Sequence, residues 1–476
     1  MQGDHSPFLP GMPGGAGRPR RPVQERLQDE CQRLRSQPLY QVEQRFSRWL
    51  SPELLQPAAG ARQRHFGVRV VFWALLYQLL ARVGCAGAVK QVQQWAVQSG
   101  SAMPSSRTGA YCQARARLPL AMLLAVGEHL VAQLERARGA ADRWQGLRLV
   151  AVDGTGLSMP DTAVNQAVWP QSRSIAPGRG FPELKLVGLF SLASGALLGW
   201  VEGNRRNSEQ RLWQGLWPLL CKGDLVLGDR GFDSYLNLAM VPLHGAHLLV
   251  KMTSLRKPHW EAGRRLGPDD QLQQWRRPRR PDWCSPEQWA EVPQEITVRM
   301  IRRHLSCPGF RTTTLTVVTT LLDPVAYPAD ELIELYRQRW QVELRLRDIK
   351  QTLGMAVLAS KSPEQIRKEL AMYTICYNPL RALMVEAAHH TRVPLARLSF
   401  KATVEQLCHW HCLFTQPLGS AAARQRLLHR FYLALASAPN PHRPNRQQPR
   451  QCKRRTQRYP CFHPPRPATT SKALTK

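Results

Sequence analysis

The spacing of apolar positions changes character along the chain, and each change marks a boundary. Apolar residues recurring every three or four positions predict helices over 40–49, 68–81, 88–97, 106–118 and 121–138. At Leu147 that period gives way to a continuous run, Leu147-Arg148-Leu149-Val150-Ala151-Val152, closed by Asp153-Gly154-Thr155. It predicts a buried strand with a carboxylate at its end. Strands over 184–192 and 196–201 flank the turn Ala193-Ser194-Gly195. A helix over 208–220 comes next, then a short strand over 224–227 that leads into Gly228-Asp229-Arg230-Gly231-Phe232. A helix over 235–242 and a strand over 247–252 complete an order β-β-β-α-β-α-β, the signature of a mixed α/β unit. Between 253 and 311 the rhythm stops, with one strand predicted over 295–301 in a segment rich in Arg, Pro and Trp. A strand over 312–322, a long helix over 329–352 and an apolar helix over 364–388 resume it.

These changes give seven blocks. Residues 1–38 are polar and turn-rich, and 39–145 form an all-α unit. The mixed domain occupies 146–252 and 312–392, interrupted by an insertion at 253–311. A helical region covers 393–437. The tail, 438–476, carries ten Lys or Arg and no Asp or Glu, which predicts a disordered basic arm.

Charge narrows the partner. The 476 residues hold 66 Lys and Arg against 34 Asp and Glu, a formal charge of +32, so salt-dependent attraction to a polyanion is expected, and nucleic acid is the common intracellular one. A hydrophobic fraction of 43% excludes disorder throughout. The longest apolar run, 70–81, falls short of the ~20 residues that a membrane span needs. With no signal peptide legible at Met1, a cytoplasmic protein with no membrane partner is expected, nucleoid-associated in a bacterium. Eleven cysteines in no compact framework fit reduced thiols. In the helix over 106–118, Arg107, Gln113, Arg115 and Arg117 are candidates for groove reading, making 39–145 a candidate DNA-binding domain. A solvated charged face explains them equally well.

Three acids and one helix carry the chemistry. Tyr336, Arg339, Glu343 and Lys350 are spaced by 3, 4 and 7 residues, so at about 100° per residue a single helix would align them on one face. The simpler account is an i, i+4 salt bridge between Arg339 and Glu343. Likewise, strand-end aspartates such as Asp153 and Asp229 are commonly turn formers or caps. Three acids in this topology nevertheless point to convergence, and converging carboxylates need a cation, for which hard divalent ions are suited. Mg²⁺ or Mn²⁺ is expected. Two such ions can activate a water or a 3′-hydroxyl and stabilise the leaving oxygen of a phosphodiester displacement.

The pattern Tyr336-x2-Arg339-x3-Glu343-x6-Lys350 resembles the signature of the insertion-sequence-four family of DDE transposases. Val152-Asp153-Gly154-Thr155 and Gly228-Asp229-Arg230-Gly231-Phe232 resemble its two aspartate motifs. The resemblance implies a ribonuclease-H-like α/β core with a mostly β insertion before the glutamate. It also implies Asp153, Asp229 and Glu343 as catalytic metal ligands for two ions, with Tyr336, Arg339 and Lys350 on DNA phosphates. The activity implied is cleavage at transposon ends and strand transfer, acting on double-stranded DNA (terminal inverted repeats and target), with a homodimer on DNA. Other classes remain open: a different two-metal nuclease on the same fold, or a catalytically decayed DNA-binding protein. Some members use an insertion Trp to receive a flipped base; Trp260, Trp275, Trp283 and Trp289 compete here, and packing explains each.

Overall fold

The computed structural model describes residues 50, 52–55, 65–98, 100–136, 139, 142–305, 313–415, 420–437 and 439–440. The expected helix over 40–49, the N-terminal block 1–38 and nearly all of the basic tail lie outside them.

Among the described residues four α-helices precede the first strand: α1 (Val68–Leu80), α2 (Cys85–Gln98), α3 (Gly109–Arg117) and α4 (Leu120–Arg136). Helix α1 buries Val71, Phe72, Trp73, Ala74, Leu75, Leu76 and Leu79, so its apolar surface wraps most of the way round and it forms a core helix. Helix α4 buries Leu123, Val126, Leu130 and Leu134 at three- and four-residue steps and turns that stripe toward the mixed domain. Among the described residues no single helix is long and apolar enough to cross a membrane.

The mixed domain is built on β1 (Arg148–Ser158), α5 (Ala163–Val168), β2 (Glu183–Ser191), β3 (Leu197–Asn204), α6 (Glu209–Gln214), β4 (Asp224–Gly228), α7 (Tyr235–Met240) and β5 (His247–Lys251). The expected helix over 208–220 is cut short: α6 ends at Gly215 and only a 3-10 turn, Trp217–Leu219, comes after it, because Pro218 has no N–H to continue an α-helical ladder. Strands β1, β4 and β5 are parallel neighbours, and β2 and β3 extend the sheet antiparallel from β1.

Residues 253–305, the described part of the insertion, join the main sheet. They supply β6 (Arg264–Gly267), β7 (Asp270–Arg276), α8 (Pro286–Ala290) and β8 (Glu295–Leu305), and β9 (Thr313–Thr319) returns beside β5. The nine strands run β3-β2-β1-β4-β5-β9-β8-β7-β6 in one sheet. Strands β6 and β7 escape the hydrophobic pattern because they are built from Arg264, Arg265, Gln271, Gln273 and Gln274, with only one residue in three or four apolar.

After the sheet come α9 (Ala329–Arg337), α10 (Trp340–Arg347), α11 (Pro363–Thr391), α12 (Phe400–Thr415) and α13 (Ala421–Ala436). The 29-residue α11 is buried almost continuously from Leu370 to Met384 and packs against α4, α1 and α13. It also fixes the β2–β3 turn. Asn378 exchanges two hydrogen bonds with the Leu197 backbone, the Tyr377 hydroxyl donates to Gly195 O, and Arg381 Nε donates to Ser194 O. Gly195 is at φ +71°, and a Cβ there would stand 2.6 Å from the Arg381 guanidinium, so only glycine fits.

A buried ion pair joins the insertion to the chain entering α9. Arg299 on β8, fully buried, forms two hydrogen bonds of 2.9 and 2.6 Å to Asp270 on β7, and its Nη1 donates to Tyr327 O, just ahead of α9, at 2.6 Å. Asp270→Ala would leave that guanidinium buried without its carboxylate, which should cost about 3–5 kcal/mol of unfolding free energy in a urea titration. A loss no larger than the ~0–1 kcal/mol of an exposed pair would show that the charge has another way to be solvated.

Candidate active site

The pairing of β1 with β4 sets the level of two carboxylates. Ala151 is opposite Leu227 in the parallel register. Two residues further on, β1 reaches Asp153 and the β4 chain reaches Asp229, so both side chains leave adjacent strands at the same height. The expectation that Asp153 ends its strand is wrong. β1 continues to Ser158 because β2 goes on pairing with it, from Asp153 opposite Gly188 to Ser158 opposite Glu183. Only β4 stops, at Gly228; beyond it that edge of β1 has no ladder partner among the described residues until Ser158, which bridges in parallel to Val357, its N–H donating to Ala356 O and its carbonyl accepting from Leu358 N.

Each aspartate turns partly to its own backbone. Gly154 N–H donates to Asp153 Oδ1 at 2.8 Å, and Gly231 N–H donates to Asp229 Oδ1 at 2.7 Å, capping the 3-10 turn Arg230–Phe232. The capping role anticipated for strand-end aspartates is therefore present at Asp229. Burial pushes the Asp153 carboxyl up to about 6; the Gly154 N–H opposes that rise, while the Asp229 and Glu343 charges add to it.

The other four residues do not lie on one unbroken helix. Tyr336 is on α9, Arg339 is at the junction, Glu343 is on α10, and Lys350 is in a π-helical turn, Asp348–Thr352. Around Arg339 the backbone tightens into i to i+3 bonds, such as Arg339 N to Tyr336 O at 3.0 Å and Val342 N to Arg339 O at 3.0 Å. No Gly or Pro announces this break. The anticipated salt bridge does form, with Arg339 Nη2 2.7 Å from Glu343 Oε1. Arg339 Nη1, however, is buried with no hydrogen-bond partner among the described residues. Tyr336 is buried, with the Arg339 guanidinium 6.0 Å from its ring centre. Lys350 Nζ crosses to β1, donating to Thr155 Oγ1 at 2.7 Å and Gly156 O at 3.0 Å.

A fourth acid, Glu209 on α6, was not singled out by sequence reasoning. A Cβ placed on Gly154 would be 2.6 Å from Glu209 Oε1, and one on Gly231 would be 3.7 Å from Glu209 Oε2. Burial raises its carboxyl, with Lys185 opposing and Asp229 adding to the rise. Its only sequence signal was Ser208-Glu209, an ordinary helix start.

Among the described residues no group of three or more His, Cys, Asp or Glu is gathered tightly enough to enclose a metal ion. Each aspartate instead accepts from a backbone N–H, and Glu343 pairs with Arg339. By chemistry, the donor set nonetheless suits a hard cation. Asp229 and Glu343 both lie within electrostatic reach of Asp153, and all three are oxygen donors.

The insertion tryptophans are occupied by packing. Arg256 lies 3.8 Å from the ring centre of Trp275, Arg302 4.3 Å from that of Trp260, and Arg277 5.7 Å from that of Trp289. Trp283 packs against the core beneath the sheet.

Residues 144–378 match the family model described as Transposase DDE domain. The transposase InsG for insertion sequence element IS4, from Escherichia coli strain K12, is 27% identical over 358 residues, 72% of this chain and 77% of its own. This chain carries the DDE domain of a transposase and is similar to one of the IS4 type. A solved piggyBac transposase synaptic complex with hairpin DNA overlaps 84% of each chain at 10% identity, but its TM-score of 0.39 is too low to bear on the fold. The transposase is thus an enzyme of phosphodiester chemistry whose partner is DNA, and divalent-metal dependence is general to its domain.

The raised Asp153 carboxyl has a consequence for stability. The unfolded chain loses this proton near pH 4 and the folded transposase near 6, so between those values the folded state holds more protons and stability falls as pH rises. Above 6 the penalty is constant, at most about 3 kcal/mol given about 1.4 kcal/mol per pH unit. Asp153→Asn should therefore stabilise the metal-free transposase at pH 8 and lose that advantage below pH 4, as read by thermal melts at both values. Equal melting temperatures at pH 8 would rule out the buried charge as a source of strain.

Proposed function

We propose that this transposase excises its element by cleaving DNA at both ends and joins the freed ends to target DNA. In this reading 146–252 and 312–392 make a ribonuclease-H-like catalytic core, and Asp153, Asp229 and Glu343 hold Mg²⁺ or Mn²⁺, two ions in all. When bound, such ions would polarise the scissile phosphate and make a water or 3′-hydroxyl nucleophilic. The observation that carries the reading is the β1–β4 register, which starts Asp153 and Asp229 at one height, with Lys350 tying the Glu343 segment to β1 two residues past Asp153.

The remaining residues act on the substrate's charge. Arg339 has one face on Glu343 and an unsatisfied Nη1 on the other, and an unpaired buried guanidinium N–H calls for an anion such as a phosphate oxygen. Tyr336, whose ring centre is 6.0 Å from that guanidinium, is assigned to the same phosphate grip. Lys350 sets a positive charge at Thr155 and Gly156, on the stretch of β1 between the end of β4 and the bridge at Ser158, where a phosphate of the DNA would be met. The helical unit 39–145, with Arg107, Gln113 and Arg117 exposed, is assigned to reading the terminal inverted repeats, and two copies are expected on paired ends.

Asp153→Asn should abolish cleavage and strand transfer on an end-bearing duplex while leaving its binding within about threefold, because the amide keeps the shape and loses the charge. Cleavage that persists in this variant, or in excess chelator, would place the chemistry elsewhere. Products cut but never joined to target would favour a nuclease over a transposition reaction.

Arg339→Ala and Lys350→Ala test grip. Each should weaken end binding and lower the slope of log affinity against log salt by about one, since each phosphate contact contributes roughly 0.9 to that slope. If affinity and slope are unchanged, Arg339 serves only its pair with Glu343, worth about 0.3–0.5 kcal/mol to the helix.

A further inference from the structure

We infer that Glu209 is a fourth carboxylate of the metal site, shared with Asp229, a reading that rests on the metal assignment proposed above. Asp229 is the common neighbour of the acids, its charge being felt at Asp153, Glu209 and Tyr336. Glu209 reaches it from the sheet face opposite Asp153. Asp153 alternates along β1 with Val152 and Gly154, and Val152 belongs to the core beneath α6 and α7. Gly154 thus shows its bare Cα to α6.

That bareness gives Glu209 its place. A side chain on Gly154 would run into Oε1, Cδ and Cγ of Glu209 at 2.6, 2.7 and 3.1 Å, and neither Gly154 nor Gly231 has the positive φ that would otherwise require glycine. A Cβ on Gly231 would meet Asp229 Oδ1 first, at 2.9 Å, with the same Glu209 carboxylate at an ordinary contact of 3.7 Å. Glu209 is also held there. Ser208 caps α6, Leu212 and Trp213 anchor it in the core, and Gln210 Nε2 donates to Gly231 O at 2.9 Å, tying the helix to the Asp229 turn. Its carboxylate accepts no hydrogen bond among the described residues, whereas Asp153, Asp229 and Glu343 each have a donor.

Charge gives the reason for a cation at this position. Asp229 has an acid on either side, Asp153 and Glu209, in a chain of formal charge +32; Arg339 stands beside Glu343 and Asp153, Lys350 reaches Thr155, and Lys185 is the cation beside Glu209. Lys185 is committed to Asn207 O at 2.8 Å. An exposed acid could rest in water, but a half-buried one beside Asp229 is repelled unless a positive ion lies between them. A hard divalent cation would join the two.

The test measures Mn²⁺ binding to the full-length chain without DNA, by the electron paramagnetic resonance of free Mn²⁺. Glu209→Gln should weaken binding at least about 10-fold. Gly154→Ala should do the same by displacing the carboxylate without removing it, and the double variant should be no worse than either single one, as expected for changes acting through one group. Glu209→Asp should recover part of the affinity. Unchanged affinity in both Glu209→Gln and Gly154→Ala, with loss in Asp229→Asn, would overturn the role of Glu209 and leave the three-acid site standing. Unchanged affinity in Asp229→Asn and Asp153→Asn as well would overturn both readings. Far-ultraviolet circular dichroism checks that each variant is folded, and Gly154→Ala keeps the question answerable if Glu209→Gln is not.

Discussion

Everything at the candidate site depends on one unequal pairing: β1 is longer than its parallel partner β4. While the two run together, their backbone groups are satisfied and their side chains are core. Where β4 ends, β1 keeps its β2 edge and runs without a partner on the other until Ser158 meets Val357. A polar gap then opens inside an otherwise apolar sheet, at a height fixed by hydrogen-bond register. Carboxylates are tolerated there because one side is open, and the same opening is the place where a charged polymer can reach them.

Packing around the gap serves to hold its walls. The second wall, the α9–α10 segment, is secured at three points. Arg299 grips the carbonyl of Tyr327 ahead of it, the tightened turn at Arg339 redirects it, and Lys350 fastens its far end to β1. Each attachment is polar and directional, as positioning a functional group demands, whereas the apolar contacts of α11 and α4 supply bulk stability.

The sequence displays this arrangement unevenly. Strands β1 to β5 were legible because buried parallel strands read as apolar runs, and the turn at Gly195 was legible because its residues are turn formers. β6 and β7 were not, since strands of Arg and Gln carry no hydrophobic alternation and owe their pairing to β8. The extent of β1 was hidden because Gly154 and Gly156 look like terminators, when Gly154 is clearing space for a side chain from another helix. The break at Arg339 was invisible for the opposite reason: it contains neither glycine nor proline. Asp153, Asp229, Glu343 and their basic neighbours stood out by spacing and by motif, but Glu209 owes its place to the bareness of Gly154, distant in sequence, a relation that appears once the chain is folded.

The continuity of the sheet has a metrical consequence. From β1 to β6 the ladder passes through six strand-to-strand steps without a break. At about 4.8 Å per step, the outer edge of the insertion stands roughly 30 Å from the strand that carries Asp153, less whatever the twist takes back. Side-chain substitutions leave that length almost untouched, because it is set by the number of strands and the hydrogen bonds between them. The insertion is therefore a gauge: any molecule that touched both its rim and the open edge of β1 would be held to a span fixed by the backbone alone.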